Sequence, residues 1–322
     1  MRIGYIHLLL IGIYALPAYS DQYVKQQLET LYATSHLLTQ SDAITIGYGH
    51  FDPIEFINPS FKRLNENDDI DFKQQLNVFS LPFSTAIESP SAQITLSITG
   101  KLSYLEKKQS INLFNSSSDK SKDYLYNASL GLQAIKSLSK NWVMQSNAQL
   151  QLMHYENKFM FNSPLSKNRL APLIDNESVN ISSNALLINP TMASIYTLPT
   201  DWGKYEFKTD LSYFYGHSFA QSDSLPVARP EGWHIINGVK AKFDLGYIVD
   251  VQPAFYLKAQ RVDLAADSKA AFEVDHFYEY GMGVLFDVSP YTSWFTNFGI
   301  GINIHTGIVL EGGSIVFYFD EF

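Results

Sequence analysis

Residues 123–152, DYLYNASLGLQAIKSLSKNWVMQSNAQLQL, carry the pattern on which the fold turns. Tyr124, Tyr126, Ala128, Leu130 and Leu132 alternate with Asn127, Ser129, Gly131 and Gln133. Beyond Ser139-Lys140-Asn141, Trp142, Met144, Ala148, Leu150 and Leu152 alternate with Gln145, Asn147, Gln149 and Gln151. A period of two belongs to strands whose faces meet different surroundings. Both halves run past the usual strand length of about five or six residues and reach the roughly 9 to 11 residues of an oblique bilayer crossing. Tyr124 and Tyr126 at one end and Trp142 near the other stand where an interfacial girdle places aromatic rings. A long hairpin of a soluble sandwich would share this polarity, so the rest of the chain has to discriminate.

Outward from this hairpin the pattern repeats. Twelve strands are expected, at about 42–52, 73–86, 92–105, 123–137, 142–156, 181–197, 204–218, 231–247, 252–264, 272–287, 293–308 and 314–322. Connections after the first, third, fifth and seventh strands are long and polar (52–70, 106–122, 157–180 and 220–230). Those after even strands are tight, as at Glu88-Ser89-Pro90, Ser139-Lys140-Asn141, Val249-Asp250 and Ser289-Pro290. Short turns at one rim, long loops at the other and an even strand number describe a bacterial outer-membrane barrel. A soluble sandwich has no reason to keep that alternation.

The faces agree. Tyr205, Phe207, Leu211, Trp233, Ile235, Leu257, Tyr280, Met282, Ile300 and Ile302 fall on one side, while Glu206, Lys208, Asp210, Lys240, Lys242, Lys258, Glu279, Asn303 and His305 fall on the other. A charge facing lipid costs about 2–4 kcal/mol near the midplane, so the charged side faces the lumen. The second and sixth strands fit less well: Phe79, Leu81 and Phe83 are out of phase with Leu76 and Val78, and Pro82 and Pro190 interrupt, which suggests bulges or a kinked edge.

Met1–Ser20 reads as a secretory signal, with Arg2, an apolar run from Ile6 to Ala15, a break at Pro17 and Ala18-Tyr19-Ser20 as cleavage site. The run falls short of the roughly 20 residues of a spanning helix. Residues 21–40 form the one convincing helical stretch, with Val24, Leu28, Leu31 and Leu38 in a thin apolar stripe. It is either a plug in a polar lumen or an N-terminal tail. Residues 41–322 then make the barrel. There is no cysteine, which excludes a disulfide scaffold and thiolate chemistry. The net charge of -9 shows no basic stripe for nucleic acid.

The chain closes on Ile315-Val316-Phe317-Tyr318-Phe319-Asp320-Glu321-Phe322. A helix leading into twelve strands and a C-terminal Phe resembles the translocator barrel of the autotransporters, in particular the solitary barrels of that type without a passenger. The resemblance covers residues 21–322 and implies a monomeric protein of the Gram-negative outer membrane, surrounded by its lipid and inserted by the barrel assembly machinery through a signal that includes Phe322. It implies no cofactor, metal or enzymatic activity. Two departures stand out: only about twenty residues separate the signal from the first strand, too few for a passenger domain, and residues 21–41 hold no Asn-Asn pair for self-cleavage. Asp320 also replaces the aromatic residue usual in that phase.

Lumen-side glycines gather on four strands, as Gly47 and Gly49, Gly238 and Gly246, Gly281 and Gly283, and Gly299 and Gly301. They either open room for the helix, together with the lumen-facing Lys208, Lys240, Lys242 and Glu279, or relieve bending in a small barrel. The best acid–base candidate is Asp275-His276 with Glu273 and Glu279, and a solvated strand end accounts for it better. Three functions compete: a plugged translocator-type barrel with a structural or surface role through its long loops, a small-solute channel and, last, an outer-membrane enzyme. Deleting Phe322 is expected to lower the amount of folded, heat-modifiable protein in the outer membrane; unchanged amounts would move the signal to Phe319.

Overall fold

The computed structural model describes residues 17–40, 44–49, 72–89, 91, 93–111, 118–219, 225–246, 252–272, 274–288, 291, 297–307 and 312–319. Most of the proposed signal, the 52–70 loop, Glu273 and Phe322 lie outside them. Helix α1 (Pro17–Leu38) leads into strands β1 (Ile44–Gly49), β2 (Phe72–Ile87), β3 (Ile94–Ile111), β4 (Asp119–Ser137), β5 (Trp142–Met160) and β6 (Ser182–Thr200). Then follow β7 (Gly203–Phe219), β8 (Glu231–Asp244), β9 (Gln252–Ala266), β10 (His276–Asp287), β11 (Asn297–Thr306) and β12 (Gly312–Phe319). Two short helices sit in the connections, α2 (Ala171–Ile174) and α3 (Asp267–Phe272). Each strand pairs antiparallel with its sequence neighbours, and β1 pairs with β12, so the sheet closes into a barrel.

The alternation translates into an inverted exposure. Leu130, Leu132 and Leu150 are 60%, 61% and 53% exposed, whereas Asn127, Ser129 and Gln151 are 5%, 7% and 4% exposed. Apolar side chains outside and polar ones inside are stable when the outer solvent is hydrocarbon. Trp202 stacks on Phe243 at the short-turn rim, and Tyr213 packs at a tilt against Trp233 toward the other, placing aromatic rings toward both ends of the apolar band.

The second and sixth strands are continuous, not bulged. In β2, Phe79, Leu81 and Phe83 point out while Leu76 and Val78 are buried inside, and the register to β3 runs unbroken through Pro82. The apparent slip arises because the apolar residues change face along β2: Leu76 and Val78 point inward in the outer half, where Asn77 stands between them on the other face, and Phe79, Leu81 and Phe83 point outward nearer the short turn. In β6, pairing with β7 lapses only between Ile188↔Tyr215 and Thr191↔Ser212, with the register unchanged. Pro190 has no N–H to offer, and the Asn189 side chain replaces it, donating from Nδ2 to the Tyr213 carbonyl at 2.8 Å.

Other boundaries shift for local reasons. β3, β4 and β5 run further toward the long connections than their alternation suggested, to Ile111, Asp119 and Met160. There Asp119 accepts hydrogen bonds from the Asn162 and Ser163 backbone N–H groups at 2.7 and 2.9 Å and from Ser166 Oγ at 2.8 Å, fastening the β5–β6 connection. β10 starts at His276 because Asp267–Phe272 turns into α3. Gly246 is not a wall residue: it follows β8 with φ 77°, a conformation suited to glycine.

Leu130→Arg is expected to destabilise the barrel in lipid vesicles by about 2–4 kcal/mol, with Gln145→Ala on the lumen side costing much less. Denaturant unfolding of the two variants checks this, and equal losses would reverse the assigned faces.

Candidate functional site

Toward the long connections the lumen wall turns apolar. Leu105, Leu125, Met153, Tyr155, Ala185, Leu187 and Phe214 point inward and are buried, and they form one cluster with Val24, Leu28, Tyr32 and Ala33 of α1. The helix therefore lies inside the barrel against β3–β7. Its apolar stripe is thin because the seat is a band and not a full core.

The polar face of α1 is anchored by side-chain hydrogen bonds. Near the rim, Glu29 Oε1 accepts from the Arg229 backbone N–H at 2.8 Å. Deeper, Gln40 Nε2 donates to Ser212 Oγ at 3.3 Å, Asn127 Nδ2 to Thr39 Oγ1 at 3.5 Å and Ser80 Oγ to the Thr39 carbonyl at 3.3 Å. The Gln40 amide nitrogen also lies 3.3 Å from His36 Nε2 and can only donate, which puts the imidazole proton on Nδ1, 2.9 Å from Gln151 Oε1. The His36 ring packs on Phe214 with centroids 4.5 Å apart, with His234 6.0 Å away. Leu37 and Leu38 pack against Phe272 of α3, which folds inward over the helix. The N-terminal end of α1 thus faces the long-connection rim, and its C-terminal end stops partway down the lumen.

The glycines of β8, β10 and β11 do not seat this helix. A Cβ at Gly301 would meet the Tyr256 hydroxyl, one at Gly283 the Tyr256 ring and the backbone of β11, and one at Gly299 the Leu285 side chain. A Cβ at Gly281 would meet Asn303 and Lys258. Their room is used by side chains from neighbouring strands: Tyr256 lies over β10 and β11 and donates its hydroxyl to Tyr318 at 2.9 Å. Gly238 abuts Gln260. Gly47 and Gly49 keep strand pairing to both β12 and β2.

The predicted lumen charges form pairs along the wall, away from the anchoring bonds of the helix. Lys258 Nζ and His305 Nε2 lie 2.5 and 2.9 Å from the two Glu279 carboxylate oxygens, tying β9, β10 and β11 together. Lys208 pairs with Asp210 at 3.2 Å and Lys242 with Asp244 at 3.3 Å; Lys240 lies on the same face of β8. The Asp275-His276 candidate stays at the rim, with His276 Nδ1 2.8 Å from Asp275 Oδ1. That hydrogen bond holds the Asp275 carboxyl below its usual range, while Glu279 points into the lumen on the opposite face of β10 and takes no part.

The helix seat was missed in the sequence because period two fades where both faces are apolar. The runs Tyr124-Leu125-Tyr126, Leu152-Met153, Leu186-Leu187-Ile188 and Tyr213-Phe214-Tyr215 were its signal.

A search of curated proteins returned no match. Among solved structures, the chain is similar to the transport unit of the autotransporter AIDA-I from Escherichia coli, with 13% identity, a TM-score of 0.54 and coverage of 89% of this chain and 95% of that one. It is similar also to the translocator domain of autotransporter NalP from Neisseria meningitidis, with 10% identity, a TM-score of 0.52 and coverage of 93% and 95%. At these identities the likeness is one of fold. The sequence pattern of the solitary outer membrane autotransporter beta-barrel domain matches residues 29–321, and the chain belongs to that outer-membrane family.

Proposed function

We propose that this protein is a translocator-type barrel held shut by its own N-terminal helix, with a structural or surface-interaction role exercised through the long connections. The observation that carries this reading is the direction of α1, which has Glu29 at the long-connection rim and Thr39 and Gln40 bonded to Ser80, Asn127 and Ser212 inside the wall. Long connections face the exterior in bacterial barrels. Residues 21–40 then thread the pore from outside inward before the chain enters β1, so the segment has passed through the barrel during assembly, the act expected of a translocator. Met1–Ser20 is the leader removed on export, the barrel assembly machinery inserts the chain through its last strand, and the inserted barrel is a monomer without catalytic activity.

A small-solute channel is the competing reading. Twelve strands enclose a lumen wider than the eight-stranded barrels that side chains alone fill, and α1 occupies the added width. Removing residues 21–40 should leave a heat-modifiable barrel that conducts in planar bilayers, while the full mature chain stays closed. Equal conductance with and without the segment would favour the channel. An epitope placed directly after Ser20 should be reached by antibody on intact cells, whereas one in the 138–141 turn should not. Cysteines at Thr39 and Asn127 should join through a short bifunctional linker within one chain, and failure there alongside a buried epitope would return the segment to a periplasmic tail.

A further inference from the structure

The outer surface of β3–β5 changes character in steps toward the long-connection rim. Along β4 the outward residues from Lys136 are Ala134, Leu132, Leu130, Ala128, Tyr126 and Tyr124, followed by Lys122 and Lys120. At about 3.4 Å per residue and about 40° of tilt, the uncharged run from Ala134 to Tyr124 stands roughly 25 Å tall, the height of a barrel's apolar band. Lys122 therefore occupies the first level beyond the hydrocarbon on the outer side.

At that level the register sets Lys108, Lys122 and Lys158 directly opposite one another on three adjacent strands. Like charges in this arrangement repel. One level inward lie Glu106, Tyr124 and Glu156. Glu106 pairs with Lys108 at 2.9 Å and Glu156 with Lys158 at 3.0 Å. Lys122, between them, makes no ion pair among the described residues, and Glu106 attracts it at longer range. With Lys120 above it, four ammonium groups face two carboxylates. Below, Tyr104 lies 6.5 Å from Tyr124 and 5.2 Å from Tyr126, and Lys158 stands 5.3 Å from the Tyr124 ring centre. A row of cations with an aromatic floor, at headgroup height and facing away from the protein, is matched to an anion that arrives from the membrane.

We propose that Lys108, Lys122 and Lys158 bind the phosphate groups of a phosphorylated glycolipid headgroup in the outer leaflet, with Tyr104, Tyr124 and Tyr126 against the junction of its sugars and acyl chains. The phosphate oxygens bridge the row and relieve its repulsion, and Lys122 is the central contact because, unlike Lys108 and Lys158, it is held in no ion pair among the described residues. The lipid then braces the outer ends of β3–β5, whose connections are long.

The test takes the full mature chain, folded and offered to phosphatidylcholine vesicles containing lipid A, with retained lipid counted by native mass spectrometry. The wild type and the Lys108→Arg/Lys122→Arg/Lys158→Arg variant should retain lipid A. Affinity should fall about fivefold for each lysine replaced by glutamine and roughly a hundredfold for all three, less steeply at high salt. Lys136→Gln/Lys140→Gln, at the opposite rim, should bind as wild type, and lipid A stripped of phosphate should not be retained. Each variant is first shown to be heat-modifiable; should the triple glutamine variant fail to fold, Lys122→Gln, which breaks no ion pair, carries the test. Equal retention by the glutamine variant, or by dephosphorylated lipid A, would overturn the proposal. Displacement of the lipid by an equal concentration of inorganic phosphate would show a free-anion site and overturn it as well.

Discussion

A peptide group in hydrocarbon finds no water to bond, so every N–H and C=O in the wall must be paired by a neighbouring strand, and the sheet can only end by meeting itself. Here that requirement falls on a short seam. β3–β6 run 18 or 19 residues each, whereas β1 contributes six, paired on one side with β12 and on the other with β2. The seam lies where α1 delivers the chain to the wall. Ser80, which pairs with Thr45 of β1, also donates to the Thr39 carbonyl at the end of the helix. One residue of β2 thus holds both the start of the closing strand and the foot of the helix, which couples seating of the helix to closure of the barrel.

Closure around twelve strands leaves an interior wider than wall side chains fill, and the chain treats the two halves of it differently. Toward the long connections, Leu125, Met153, Leu187 and Phe214 build an apolar band that α1 and α3 cover. Elsewhere the wall satisfies itself across strands, through the Lys258–Glu279–His305 group and the Tyr256–Tyr318 hydrogen bond. Glycines on β10 and β11 make that possible by letting Tyr256 lie flat across two neighbouring strands. They give room to side chains of the wall, and of the two readings the glycine positions left open, room for the helix or relief within the wall, the contacts on β10 and β11 favour the second.

What the sequence made legible follows from solvent contrast. Period two survives wherever lipid lies on one side and polar lumen on the other, which is why twelve strands, their order and their outward faces could be read from residues such as Leu130 against Ser129. It fades where a strand is apolar on both faces, as around Phe214, and changes phase where the apolar face switches from lumen to lipid, as between Val78 and Phe79, and there the expectation of bulges replaced the true one of a covered lumen. The polar composition of residues 21–40 is compatible with water outside the barrel as well as with a wet seat inside it. What distinguishes the two is the packing of Val24, Leu28 and Tyr32 on the wall and the placement of Gln151, Asn127 and Ser212 around His36, Thr39 and Gln40, and no local pattern encodes a contact between residues 115 positions apart.

The deep anchors of α1 are neutral, and the Glu29 carboxylate near the rim meets a backbone N–H and not a charge of the wall. The deep end of the helix is held by amide, hydroxyl and uncharged imidazole partners, each such bond contributing about 0.5–1.5 kcal/mol net, while the described charge pairs of the strands belong to the wall. None of the strand-to-strand pairing involves the helix, so a barrel without it keeps its ladder. What such a barrel loses is cover for Leu105, Leu125, Met153, Leu187 and Phe214, whose exposure to a wet lumen is penalised in proportion to their area. Apolar burial holds the helix in its seat, with hydrogen bonds fixing register and depth. A helix seated that way is stable in place yet separable from the wall, a combination that buried ion pairs between helix and strand would have denied it, since breaking one strands a charge inside.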